Sequence, residues 1–169
     1  MAFRNQQNLT FSETGDDWGF NSLNISHGLA LADLDNDGDL DAVVNCLNAP
    51  PLLLRNDGSQ ARLHVRLVGE APNTSSIGTY IELETQNLPS QTHEVSLGGR
   101  YLSSDDPAAV FAMGRSSNTA SLKIHWRDGS QTQIENLPAN HAIEIHQSDS
   151  ENLSLSLDGS EAATRPPLF

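Results

Sequence analysis

Apolar side chains alternate with polar ones in several short segments, and this pattern restricts the fold more than any other feature. Leu63, Val65 and Leu67 alternate with polar residues in RLHVRLV, and the same period recurs in TYIELET, SLKIHW and HAIEIH. A period of two is typical of half-buried strands, because successive side chains point to opposite faces of a sheet. No long segment has the spacing of an amphipathic helix. The sequence therefore predicts an all-β protein.

Turn residues and the grouping of the strands indicate how the chain is organised. Arg127-Asp128-Gly129-Ser130 lies between two alternating segments and predicts a β-hairpin. We expect residues 1–57 to form one unit and residues 61–147 to form a second, β-sandwich-like domain. Residues 148–169 are polar and are predicted to be a linker or tail, although LSLSLDG within them could form a short strand.

An unusual group of acidic residues lies between two apolar segments, in DLDNDGDLD. Acidic runs are usually solvated surfaces, but this one alternates regularly around a central glycine at the bend between two predicted strands. Ca²⁺ takes about six to eight oxygen ligands, and carboxylates two positions apart can turn toward one centre where glycine permits a tight turn. The segment therefore predicts a calcium loop. Its residues are Asp33, Asp35, Asp37, Gly38, Asp39 and Asp41.

The spacing predicts a separate role for each aspartate. The first three are expected to bind Ca²⁺ through their side chains, Asp39 through its backbone carbonyl, and Asp41 as the closing ligand. Val44 lies where an EF-hand places its closing Glu, so the segment is not predicted to be an EF-hand. Mg²⁺ gives up water reluctantly and Zn²⁺ prefers His or Cys ligands, so both metals are less suited to this loop.

The net charge of −13 at pH 7 limits the partners of the protein. Nucleic acids and anionic membranes are bound through basic surfaces, so we expect no nucleic-acid partner and no membrane surface binding. No segment has the ~18 apolar residues of a membrane helix, so no membrane insertion is expected. The N-terminal segment also lacks a signal-peptide pattern.

Cys46 is the single cysteine, which excludes an intramolecular disulfide, and it is predicted to be buried.

Two parts of the chain resemble known families. SHGLALADLDNDGDLDAVVN followed by LLLRND resembles the FG-GAP/VCBS repeat of integrin-type β-propellers. This resemblance implies one propeller-blade-like antiparallel sheet, with the five aspartates in the calcium site. Residues 61–147 resemble the ASPIC/UnbV domain of the cartilage acidic protein family, through NTSSIGTYIEL, GGRYLSSDDP, VFAMG and SLKIHWRDGSQTQIENLPANHAIEI. Because a propeller needs several blades, the single repeat implies a fragment of a larger protein.

The aspartate spacing predicts calcium binding, and the family resemblance implies a non-enzymatic interaction or adhesion module with an unknown protein or glycan partner. The resemblance implies an extracellular or cell-surface location, and no catalytic residue is predicted. Two alternatives remain. A carbohydrate-binding module would present exposed aromatic residues on a sheet face. A glycan-acting enzyme fragment would need two carboxylates in different environments, which a dense acidic cluster does not provide.

Overall fold

The computed structural model describes residues 1–114 and 119–149, and its regular elements there are strands and one short 3₁₀ helix, Gln147–Asp149. The strands are β1 (Phe3–Asn5), β2 (Phe11–Glu13), β3 (Ser26–Ala32), β4 (Asp41–Cys46), β5 (Leu52–Leu54), β6 (Arg62–Val68), β7 (Tyr80–Thr85), β8 (Gln91–Glu94), β9 (Gly99–Arg100), β10 (Ser103–Ser104), β11 (Ala109–Ala112), β12 (Thr119–His125), β13 (Gln131–Pro138) and β14 (His141–His146). The predicted all-β fold is confirmed. The LSLSLDG segment lies outside the described residues.

The N-terminal unit, β1 to β5, contains a three-stranded antiparallel sheet with β4 at its centre. Ala42, Val44 and Cys46 of β4 are buried, so the predicted burial of the single cysteine is confirmed. The loop that joins β3 to β4 contains the aspartates. Strands β1 and β2 form a separate two-stranded hairpin.

The C-terminal unit, β6 to β14, contains two larger sheets with the orders β11-β6-β14 and β13-β12-β7-β8, and β9 pairs with β10 in a separate two-stranded sheet. Side chains from both sheets form one hydrophobic core, which is the arrangement of a β-sandwich. Strand β14 is parallel to β6, whereas the other pairs are antiparallel. The predicted hairpin between β12 and β13 is confirmed, since the N–H of Trp126 donates to the carbonyl of Ser130 at 2.9 Å.

Strand β6 has one face in this core and the opposite face directed away from it. Leu63, Val65 and Leu67 are buried in the core, as their alternation predicts. The intervening positions therefore lie on the other face of the strand. Those positions are Arg62, His64 and Arg66, a set that we call the basic row.

A short hairpin formed by β9 and β10 connects the two units along the edge of β3. The hydroxyl of Ser103 donates to the carbonyl of Leu29 at 2.6 Å. Leu31 donates its N–H to the carboxylate of Asp105 at 2.8 Å, and its carbonyl accepts from the N–H of Asp106 at 2.9 Å. The carbonyl of Leu29 and both backbone polar groups of Leu31 are thereby satisfied by the C-terminal unit. In the described part of the chain, no helix is long and apolar enough to span a membrane.

Candidate cation site in the aspartate loop

The loop between β3 and β4 is curled by hydrogen bonds from its own backbone. The carboxylate of Asp33 accepts from the N–H groups of Asp37 at 3.1 Å and Gly38 at 3.0 Å. The carboxylate of Asp37 accepts from the N–H of Asp39 at 3.0 Å. Asn36 and Gly38 have φ values of 60° and 90°, which Asn and Gly tolerate better than other residues. The sequence folds into this turn because acceptors and permissive residues alternate.

Three of the five predicted ligands are brought together by this curl. One carboxylate oxygen from each of Asp33, Asp35 and Asp37 lies within 4.8 Å of the other two. Each like-charged pair at that separation repels by about 1 kcal/mol in water and about 3 kcal/mol at an effective dielectric near 20. A cation among these oxygens removes the repulsion. A set of carboxylate oxygens fits a hard cation such as Ca²⁺.

Asp41 has a different environment from these three residues. Its side chain is buried, one oxygen accepts from the N–H of Leu34 at 3.0 Å, and the other accepts from the N–H of Asn56 at 2.8 Å. Asp41 thus ties the start of the loop to the segment after β5. Its carboxylate lies outside the group of three, so its role as the closing ligand stays a prediction.

Asp39 is buried, and its carboxylate forms an ion pair with the guanidinium of Arg62. No other described group donates a hydrogen bond to either of its oxygens. Burial raises the pKa of Asp39 above its ordinary value, while the hydrogen bond and the positive charge of Arg62 oppose that rise. That the backbone carbonyl of Asp39 binds Ca²⁺ stays a prediction.

Arg62 is the residue of this site that sequence reasoning missed. It lies on β6 of the C-terminal unit, and one of its guanidinium nitrogens is 3.9 Å from a carboxylate oxygen of Asp37. The guanidinium also donates to the carbonyl of Gly58, and the backbone N–H donates to the side chain of Asn140 at 3.3 Å. The only sequence signal was its place on the polar face of an alternating strand, which does not identify what that face meets.

The other members of the basic row lie further along the same face. Arg66 donates to both carboxylate oxygens of Asp106, at 2.9 and 2.7 Å. His64 is buried, and its Nε2 has no hydrogen-bond partner among the described residues. Burial lowers the pKa of His64; the charge of Arg66 acts in the same direction, whereas Asp33 and Asp106 oppose it. The basic row therefore forms ion pairs with acidic residues at both of its ends, Arg62 with Asp39 and Arg66 with Asp106.

Comparison with known families identifies the second part of the chain. The family model described as ASPIC and UnbV matches residues 69–152. These residues form an ASPIC/UnbV domain. The match begins after β6, although β6 supplies Leu63, Val65 and Leu67 to the core that the ASPIC/UnbV strands complete. A comparison with curated proteins gave no match. The resemblance of residues 1–57 to the FG-GAP/VCBS repeat stays a prediction.

Proposed function

We propose that this protein is a calcium-stabilised, non-enzymatic interaction module. The observation that carries the proposal is the approach of Asp33, Asp35 and Asp37, whose carboxylate oxygens lie within 4.8 Å of one another. Three charges held this close in a curled loop favour a bound divalent cation, since the cation offsets their mutual repulsion. The bound ion would use the Asp39 carbonyl and Asp41 as further ligands, and residues 1–57 would be an FG-GAP/VCBS-like repeat.

An extracellular or cell-surface location is part of the same proposal. ASPIC/UnbV domains are found in extracellular-type proteins. Calcium is abundant outside cells, where sites with dissociation constants of about 10⁻⁴–10⁻³ M are still filled. The partner would be a protein or a glycan, and binding would depend on the order that the ion gives to the N-terminal unit.

Thermal unfolding of the chelator-treated protein tests the stabilising role of the ion. A ligand that binds the folded state raises the free energy of unfolding by RT ln(1 + [L]/Kd). We expect the melting temperature to rise with added Ca²⁺ and to rise less with Mg²⁺ at the same concentration. Equal melting curves in chelator and in millimolar Ca²⁺ would contradict the proposal.

A substrate panel tests the non-enzymatic part of the proposal. That part is wrong if the protein turns over a glycan or ester and loses this turnover when one carboxylate is replaced.

A second candidate function, carbohydrate binding, is favoured by one feature of the four-stranded sheet. Tyr80 is 40% exposed on its outer face and lies against His125, with ring centroids 6.0 Å apart. Glu82, two positions further along the same face of β7 and so about 7 Å from Tyr80, is the first residue of a polar hollow of about 200 Å³. Its carboxylates can accept from sugar hydroxyls, and its ammonium and amide groups can donate to them. The hollow is lined by Glu82, Glu84, Ser121, Lys123 and Gln133.

The two tyrosines of the chain provide a matched test of this candidate. Tyr80 lies two positions before Glu82 of the hollow on the same strand, whereas Tyr101 is 69% exposed in the turn between β9 and β10. If the sheet face binds sugars, Tyr80→Ala should abolish binding to a glycan array and Tyr101→Ala should leave it unchanged. Equal loss in both variants, or no binding by the unaltered protein, would contradict carbohydrate binding on this face.

A further inference from the structure

We propose that Arg62 is a positioning residue for the aspartate loop, acting as a resident cation that stabilises the empty loop and weakens its affinity for Ca²⁺. This inference rests on the proposed function, because it concerns the same cation site. It adds a residue from the C-terminal unit to a site whose predicted ligands all belong to the N-terminal unit. It also predicts that two properties of the protein, stability without Ca²⁺ and affinity for Ca²⁺, respond to Arg62 in opposite directions.

The geometry places the guanidinium at the side of the carboxylate cluster. It pairs with the buried carboxylate of Asp39, and a guanidinium nitrogen is 3.9 Å from an oxygen of Asp37, a predicted ligand. The Arg62 side chain is 17% exposed, and that of Asp39 is 5% exposed. A charge pair shielded from water to this degree interacts more strongly than an exposed one.

Arg62 is held in this position from both ends. Its backbone lies in β6, which pairs with β11 on one side and β14 on the other. Its N–H donates to Asn140, and its guanidinium donates to the carbonyl of Gly58. The positive charge is therefore anchored to the framework of the C-terminal unit, and we expect it to remain beside the loop when a metal ion binds.

The charge has opposite effects on the empty and the filled loop. Without Ca²⁺, Arg62 offsets the negative charge of Asp37 and Asp39 and so stabilises the folded chain. With Ca²⁺ beside Asp37, the same charge repels the ion. A single charge about 6 Å from a divalent ion in a solvated site changes its affinity by about tenfold.

Calorimetric titration of chelator-treated proteins, with melting curves in chelator, tests this inference. Arg62→Gln should bind Ca²⁺ about tenfold more tightly than the unaltered protein and should melt at a lower temperature in chelator. Arg66→Gln is the matched control, since Arg66 forms an ion pair with Asp106 on the same face of β6, away from the predicted ligands. It should melt at a lower temperature with its Kd for Ca²⁺ unchanged. If Arg62 had a merely structural role, Arg62→Gln would lower the melting temperature in chelator without tightening Ca²⁺ binding, as Arg66→Gln is expected to do.

A second variant keeps the test decisive if Arg62→Gln does not fold. Asp39→Asn leaves the backbone carbonyl in place and removes the carboxylate that partly neutralises Arg62. It should therefore bind Ca²⁺ about tenfold more weakly. If the unaltered protein binds Ca²⁺ and neither Arg62→Gln nor Asp39→Asn changes the Kd, the inference is wrong and the proposed function stands. If neither the unaltered protein nor Arg62→Gln binds Ca²⁺, the proposed function is wrong and the inference fails with it.

Discussion

The backbone N–H of Leu31 donates a 2.8 Å hydrogen bond to the carboxylate of Asp105, although the two residues are 74 positions apart. Leu31 lies near the end of β3, two positions before Asp33 of the aspartate loop, and Asp105 follows β10 of the ASPIC/UnbV domain. Asp105 is itself oriented by Arg100, whose Nε lies 2.7 and 2.6 Å from its two oxygens. The two units are thus joined by a specific polar contact beside the candidate cation site.

Replacement of Asp105 tests the strength of this contact. Asp105→Ala removes the acceptor of the Leu31 N–H and the partner of Arg100, so we expect a loss of about 1–3 kcal/mol in the free energy of unfolding. Urea denaturation measures the loss. Glu94→Ala, which alters an exposed carboxylate on β8, is the control and should change stability by less than about 0.5 kcal/mol. Equal effects of the two substitutions would show that the contact does not stabilise the fold.

The two tryptophans are expected to contribute unequally to stability. Trp126 is 3% exposed, and its indole N–H donates to the hydroxyl of Thr132 at 2.8 Å. Trp126→Ala should cost about 3–5 kcal/mol, because it leaves a cavity in the core and an unpaired hydroxyl. Trp18 is 46% exposed, and the guanidinium carbon of Arg4 lies over its ring, 5.6 Å from the ring centroid. Trp18→Ala should cost about 1 kcal/mol or less in the same denaturation experiment.

Two glycines with similar φ angles allow a comparison between strain in the aspartate loop and strain elsewhere in the chain. Gly38 has φ of +90° and Gly129 has φ of +93°, and a Cβ at either position would meet nothing within 4 Å. Alanine at either site should therefore cost about 1–2 kcal/mol through backbone strain alone. Only Gly38→Ala should also weaken Ca²⁺ binding, since only Gly38 lies in the aspartate loop. Equal Ca²⁺ affinity in the two variants would contradict the placement of the site.

Stability should fall as the pH drops through the ordinary pKa of histidine, about 6.5. Burial lowers the pKa of His64 and of His93 in the folded protein, so the unfolded chain binds protons more readily than the folded chain in this range. His64→Gln should therefore make the free energy of unfolding less dependent on pH between about pH 7.5 and 5.5. Denaturation in chelator at several pH values provides the measurement, and curves of equal slope for both proteins would contradict it.

The sequence pattern predicted the core of the fold well because alternation directly reports which side chains are buried. Leu63, Leu122 and Ile124 are all fully buried, as their period of two required. The parallel pairing of β14 with β6 was not predictable in this way. A period of two identifies the buried face of a strand and contains no information about which strands are its neighbours.

The candidate site was predicted in part for the same reason. The turn around Gly38 brings Asp33, Asp35 and Asp37 together through local hydrogen bonds, which local spacing can predict. The partner of Asp39 could not be predicted, because Arg62 reaches it through the packing of one unit on the other. An arginine on the polar face of a strand has the same pattern whether it meets water or a buried carboxylate.

The most direct test of the account is a calorimetric titration of the chelator-treated protein with Ca²⁺, beside the same titration of Asp37→Ala. Asp37 contributes one of the three clustered oxygens, and its removal leaves the buried pair of Asp39 and Arg62 in place. We expect about one ion to bind per chain, the melting temperature to rise, and both effects to be lost in the variant. Absence of heat and of a thermal shift up to millimolar Ca²⁺ would contradict the cation site, as would undiminished binding by Asp37→Ala.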